Sequence, residues 1–141
     1  MADWSRYLSV GTAAKTDYFA VDPDILLVVP HPGMVDTPDL ARQNVEFQNG
    51  YARRLGCPCS TLVVLTHLLS QDAETRKIYG EMTASGLYFA SALVVENALS
   101  RALGSFFIGL SKPPIPVRLF DGVENAVAWL RSVRPASTQK E

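Results

Sequence analysis

One stretch, residues 88–120, limits what this chain can fold into more than any other. It reads YFASALVVENALSRALGSFFIGLSKPPIPVRLF. Its first eight residues are an apolar run of strand length. From residue 97 onward, Leu99, Ala102, Leu103, Phe106 and Leu110 recur at helical spacing. A loop marked by Lys112, Pro113 and Pro114 follows, and residues 116–120 form a second short apolar run. A strand, a crossover helix and another strand make a parallel βαβ unit. Phe107 and Ile108 spread the apolar surface of that helix past one face. A helix so apolar is expected to be deeply covered or to have a partner.

The remaining elements lie naturally beside this unit. Residues 17–21 (DYFAV) and 25–29 (ILLVV) read as strands, and Asp22, Pro23 and Asp24 between them are turn formers, so the pair is expected to be an antiparallel hairpin. Thr37-Pro38-Asp39 is a helix start: a side-chain cap, a proline suited to the first helical position and an acid at the positive end of the dipole. Leu40, Phe47, Tyr51 and Leu55 then share a face, and Gly56 is the stop. Residues 61–65 (TLVVL), apolar on both faces, predict a central strand covered by helices on at least one side. Residues 66–71 predict a loop, and Ser70 or Asp72 caps a helix running to about residue 83. A last helix follows residue 121, where Asp121 and Glu124 have capping-box spacing. Residues 11–15 predict a loop. Residues 1–16 read as an extension or edge segment, residues 17–133 as one domain and residues 134–141 as a disordered polar tail.

This order predicts an α/β fold, ββαβαβαβα, with a mixed and mostly parallel sheet flanked by helices. At 141 residues, one core buries roughly two thirds of the unfolded surface. A net charge of −1 argues against a surface for nucleic acid. No apolar run reaches the ~18 residues of a membrane span. The N-terminal stretch lacks the pattern of a secretory signal, so a cytoplasmic location is expected.

Signals for chemistry are sparse. Cys57 and Cys59 stand as Cys-Pro-Cys. They are either a redox or half-metal pair or two structural thiols, and the spacing and the lack of a second pair favour the structural reading. His31 and His67 both follow strands, and ligands bind beyond the carboxyl ends of strands in such sheets. With Asp36, Asp72 and Arg76 they make a candidate polar cluster, either an acid–base pair or loop histidines without a catalytic role. Neither a glycine-rich phosphate loop nor a nucleophile elbow is present. Arg118, inside a short strand, reads as a structural salt bridge or an edge guard.

Several motifs of the second half carry a family resemblance. They are Ala90-Ser91-Ala92-Leu93-Val94-Val95, Phe106-Phe107, the pattern K-P-x-x-P-x-R-x-F over residues 112–120, and Ala126-Val127-Ala128-Trp129-Leu130. With the element order, they resemble the STAS domain of bacterial anti-sigma-factor antagonists, and more closely the small SpoIIAA-like, or STAS/SEC14-like, proteins. The resemblance covers roughly residues 17–133. It implies a regulatory hydroxyl between the third strand and the second helix, whose phosphorylation blocks partner binding. There this chain reads T-H-L-L-S-Q-D and lacks the family's D-S-S-G pattern. Thr66 and Ser70 are the hydroxyls left as candidate phosphosites, with simple capping as the alternative for Ser70.

The expected function is therefore a non-catalytic regulatory module that binds a protein partner, with no cofactor and no metal. The candidate interaction face comprises His67, Leu68, Leu69, Asp72, Arg76, Phe107 and Ile108. A homodimer is a second way to cover apolar surface. Two alternatives stand beside this reading. One is a small-molecule or lipid-binding module of SEC14-like type, with a cavity between the third helix and the sheet. The other is an enzyme using His31 and His67.

Overall fold

The computed structural model describes residues 3–97, 101–102 and 114–136. The densest apolar run, Ile25–Pro30, is buried at all six positions and forms the strand β3. A strand with no polar face must be covered on both sides, and the rest of the fold supplies that cover. Thr16–Asp22 (β2) pairs antiparallel with β3, as the hairpin pattern predicts. Cys59–Val64 (β5), Tyr88–Val94 (β7) and Val117–Phe120 (β8) add to the other side in parallel. The β7–β8 pairing is the one expected of the βαβ unit. Residues 98–100 and 103–113 of its crossover, with Phe107 and Ile108, lie outside the described residues.

Residues 11–15 depart from expectation. Leu8–Ala13 is a strand, β1, paired antiparallel with β2, so much of the loop expected over residues 11–15 is extended. The turn shrinks to Ala14 and Lys15, both at positive φ, between the paired residues Ala13 and Thr16. The sheet order is β1-β2-β3-β5-β7-β8. It is mixed and mostly parallel.

Thr37 caps the first helix, α1 (Pro38–Leu55), by accepting from the Leu40 N–H at 3.3 Å, and Gly56 closes it at φ 78°. The second helix, α2 (Ala73–Thr83), is capped by Asp72, which accepts from the Thr75 N–H at 2.8 Å. Ser70 is not the cap. The helix expected after residue 121, α3 (Val123–Ser132), has Gly122 at its N-cap and no side-chain cap; Asp121 instead meets Arg101, and the capping box does not form. Arg134 is not part of a free tail. Its guanidinium pairs with Asp24 at 2.7 Å and Asp22 at 2.8 Å, fastening the chain after α3 to the β2–β3 turn.

Helices cover both faces. Leu130 and Val127 of α3 pack on Leu27, Leu62 and Val94. On the opposite face α1 and α2 cover Tyr18, Leu26 and Val28. Burying one such leucine contributes roughly 2 kcal/mol. Arg118, exposed on the edge strand β8, stacks over the rings of Phe120 and Trp129 at 5.3 and 5.8 Å.

Candidate functional site

The segment predicted as a loop over residues 66–71 folds differently. Leu65–His67 is one turn of 3-10 helix, and Leu68–Gln71 is a strand, β6. It pairs in parallel with Met34–Asp36 (β4), a strand that follows the Pro32-Gly33 turn. Together they form a second, two-stranded sheet. Alternation sends Met34, Asp36 and Leu68 inward, while Val35, Leu69 and Ser70 stay exposed. The register sets Val35 opposite Ser70 and leaves Leu69 as the extra residue of a bulge.

Beneath this sheet lies a cavity of about 80 Å³. Its floor is the α1/α2 side of the main sheet: Thr16, Val28 and Pro30, with Thr61, Val63, Ser91 and Leu93. Asn44 and Gln48 of α1, and Tyr79, Met82 and Thr83 of α2, form the walls. Met34, Asp36, Leu68 and Gln71 close it from β4 and β6.

The polar lining is mostly satisfied internally. Tyr79 O–H and Gln71 Nε2–H both donate to Asp36 Oδ2, at 2.9 and 3.1 Å. Tyr18 O–H donates to Asn44 Oδ1, and Gln48 Nε2–H reaches the Tyr18 oxygen at 3.3 Å. The hydroxyls of Thr61 and Ser91 share a hydrogen bond of 2.8 Å. Two lining acceptors are left over: Asp36 Oδ1 and Gln48 Oε1 have no hydrogen-bond partner among the described residues. Burial pushes the Asp36 carboxyl above its ordinary range, with the bonds from Gln71, Tyr79 and the Thr37 backbone N–H working the other way. Burial likewise holds the Tyr18 and Tyr79 phenols above theirs.

The expected cluster of His31, His67, Asp36, Asp72 and Arg76 divides. His31 Nε2 lies 3.0 Å from Asp17 Oδ1, and His67 Nδ1 lies 3.3 Å from the Pro30 carbonyl. The two histidines do belong to one end of the sheet, since the His67 carbonyl accepts from the Gly33 N–H at 3.0 Å. Each imidazole is nonetheless taken up by its own neighbour. Asp36 faces the cavity, Asp72 caps α2, and Arg76 is buried with a donor on the Gln71 carbonyl. Among the described residues, no three His, Cys, Asp or Glu side chains gather as a metal site.

Of the anticipated interaction face, Leu69 and Asp72 are exposed, His67 is half-buried, and Leu68 and Arg76 point inward. Phe107 and Ile108 lie outside the described residues. Ser70 is exposed two residues before the cap of α2, and Thr66 Oγ1 lies 3.4 Å from Glu96. Cys57 and Cys59 are both free, and burial pushes the Cys59 thiol up to about 12.

Sequence reasoning missed Tyr18, Asn44 and Gln48. A signal for the latter two existed: Ala41, Asn44, Gln48 and Ala52 form a row at spacings of three, four and four, and this row is the buried one. The apolar row beside it, Leu40, Phe47, Tyr51 and Leu55, is only partly buried.

Among the described residues no helix is long and apolar enough to cross a membrane. A family model matches residues 19–134, and its description is a domain of unknown function, DUF7793. No curated protein and no solved structure matches the chain.

Proposed function

We propose, from the premise that the chain belongs to the DUF7793 family, that it is a non-catalytic regulatory module which binds a protein partner through the outer face of β4 and β6. One observation carries this reading. Three large apolar side chains are exposed among the described residues, and two of them, Val35 at 49% and Leu69 at 54%, sit on this small sheet. A sheet this short gains little by exposing them, whereas an apolar centre with a polar rim is what a partner surface requires. Asp72 and the exposed hydroxyl of Ser70 lie in the same strand and the turn after it. The STAS-like element order is consistent with such a role.

A phosphate on Ser70 would act differently from one seated on a free helix end. The first turn of α2 already holds the Asp72 carboxylate. A second negative group beside it would repel that carboxylate and charge the rim of the apolar patch, which weakens docking.

The test is affinity capture from the native cell with wild-type protein and with the double variant Val35→Ser/Leu69→Ser, its fold verified by circular dichroism. The wild type is expected to retain a specific protein that the variant loses at least tenfold, as about 1.4 kcal/mol of lost apolar contact requires. Equal retention by both, or no specific protein with either, overturns the reading. Sedimentation of the purified chain identifies the remaining occupant, a second copy of itself.

A further inference from the structure

The cavity beneath β4 and β6 lies on the face of the sheet opposite α3, in a place no sequence motif points to. Its chemistry is lopsided. Asp36 is 5% exposed and Gln48 is 2% exposed, yet each keeps one acceptor oxygen, Oδ1 and Oε1, without a hydrogen-bond partner among the described residues. A buried acceptor left unsatisfied loses the hydrogen bonds that water gave it and gains none in return. Two in one cavity therefore need an occupant that donates. The residues lining the cavity include no lysine, arginine or histidine to supply that donor. The lining's one formal charge is the Asp36 carboxylate, so the cavity repels anions. Beside the polar end, Val28, Val63, Met34, Leu68 and Leu93 form an apolar wall.

We propose that this cavity is a binding site for a small organic cation, a primary ammonium on a short apolar body, with the ammonium between Asp36 Oδ1 and Gln48 Oε1 and the body against Val63, Leu68 and Leu93. An ammonium offers three donors and a charge, which suits two acceptors of which one is anionic. Pairing with it restores the ionised form of a carboxyl that burial otherwise disfavours. Water alone is the ordinary occupant of polar cavities, but a single water needs only ~10–15 Å³. A cavity of about 80 Å³ is several times larger and is apolar along one wall. The strands that close it, β4 and β6, are tied to each other at their leading ends, where the Gly33 N–H donates to the His67 carbonyl. The site does not depend on the partner reading, because its acceptors face inward.

The experiment uses the full chain and three probes of one size: butylammonium, butanol and butyrate. Amide shifts in two-dimensional NMR report where each binds and how tightly. Butylammonium is expected to shift the amides of β4, β6 and the lining of β5 saturably, with a Kd at least tenfold below that of butanol, and butyrate is expected not to bind there. Asp36→Asn is expected to abolish the preference of amine over alcohol. Val63→Phe, which fills the cavity from β5 and leaves Asp36 intact, is expected to block both probes. If Asp36→Asn does not fold, the comparison of probes on wild type and on Val63→Phe still decides. Equal binding of amine and alcohol, binding of butyrate at these residues, shifts scattered over surface carboxylates, or no saturable shift (a cavity holding water only) overturns the proposal. Failure to capture a protein partner leaves it untouched.

Discussion

At the scale of single residues, the charges near the chain's end do more than the sequence suggests. Asp24 is buried beside the β2–β3 turn, and Arg134 reaches it from more than a hundred positions away. Arg131 and Arg134 together hold the Asp22 carboxyl down to about 2. A carboxyl lowered on folding adds stability that is fully present above its unfolded value, near 3.8, and is lost as pH falls through about 2. Arg134→Ala removes the partner of Asp24 and leaves that carboxylate facing Asp22. The expected cost at pH 7 is about 1–3 kcal/mol, most of it from the stranded buried acceptor. Urea unfolding across pH is the measurement. The wild type and the variant are expected to differ most above pH 4 and to converge toward pH 2, and a constant gap at all pH values would sink the idea. Composition shows Arg134 as the first residue of a polar tail, and nothing local reveals a partner so distant in sequence.

At the scale of elements, legibility follows the strength of local chemistry. α1 was legible at both ends because Thr37, Pro38 and Gly56 act within one turn of themselves. β3, β5 and β7 were legible because a buried parallel strand is apolar on both faces. β1 was not. Its sequence, LSVGTA, mixes polar and small residues because it lies at the sheet margin, largely exposed. β4 and β6 have three and four residues, too few for alternation to register as a pattern. The cavity was illegible for a related reason: its acceptors come from β4 and α1, which the fold brings together but no motif links. The β1–β2 connection offers a sharp test of this view. Ala14 and Lys15 occupy the left-handed region at φ 48° and 60°, a two-residue turn that favours Asn-Gly. Replacing them as Ala14→Asn/Lys15→Gly is expected to stabilise the protein by about 1 kcal/mol, or roughly 3–5 °C in Tm. Gly11→Ala is expected to act in the opposite sense, since Gly11 has φ 141° and a Cβ there would meet the Phe47 ring at 2.9 Å. Calorimetry of both reads the two signs. A loss in the first variant would mean that β1 does not hold this register.

At the scale of the whole molecule, the sheet joins two kinds of construction. Its centre, β3-β5-β7, is parallel, apolar and covered by helices on both faces. Its margins are managed separately. β8 presents Arg118 stacked over Phe120 and Trp129, so that edge carries a charge that discourages pairing with another chain. β1 has a register shift between Ser9 and Gly11, which bends the strand and interrupts the ladder, but it leaves Leu8 70% exposed. Opening free energies should follow this division, because local unfolding is cheapest where few apolar contacts are lost. Hydrogen exchange is expected to be slowest in the amides of β3, β5 and β7, which open only with the whole domain. It is expected to be at least a hundredfold faster in β1, a difference of about 2.7 kcal/mol. The measurement should be repeated over a range of protein concentrations. If the β1 margin is a free edge, its exchange is independent of concentration. If Leu8 and the open ladder of β1 join a second copy of the chain, its protection rises with concentration toward that of β3, and the apolar margin rather than the β4–β6 face is the self-association surface.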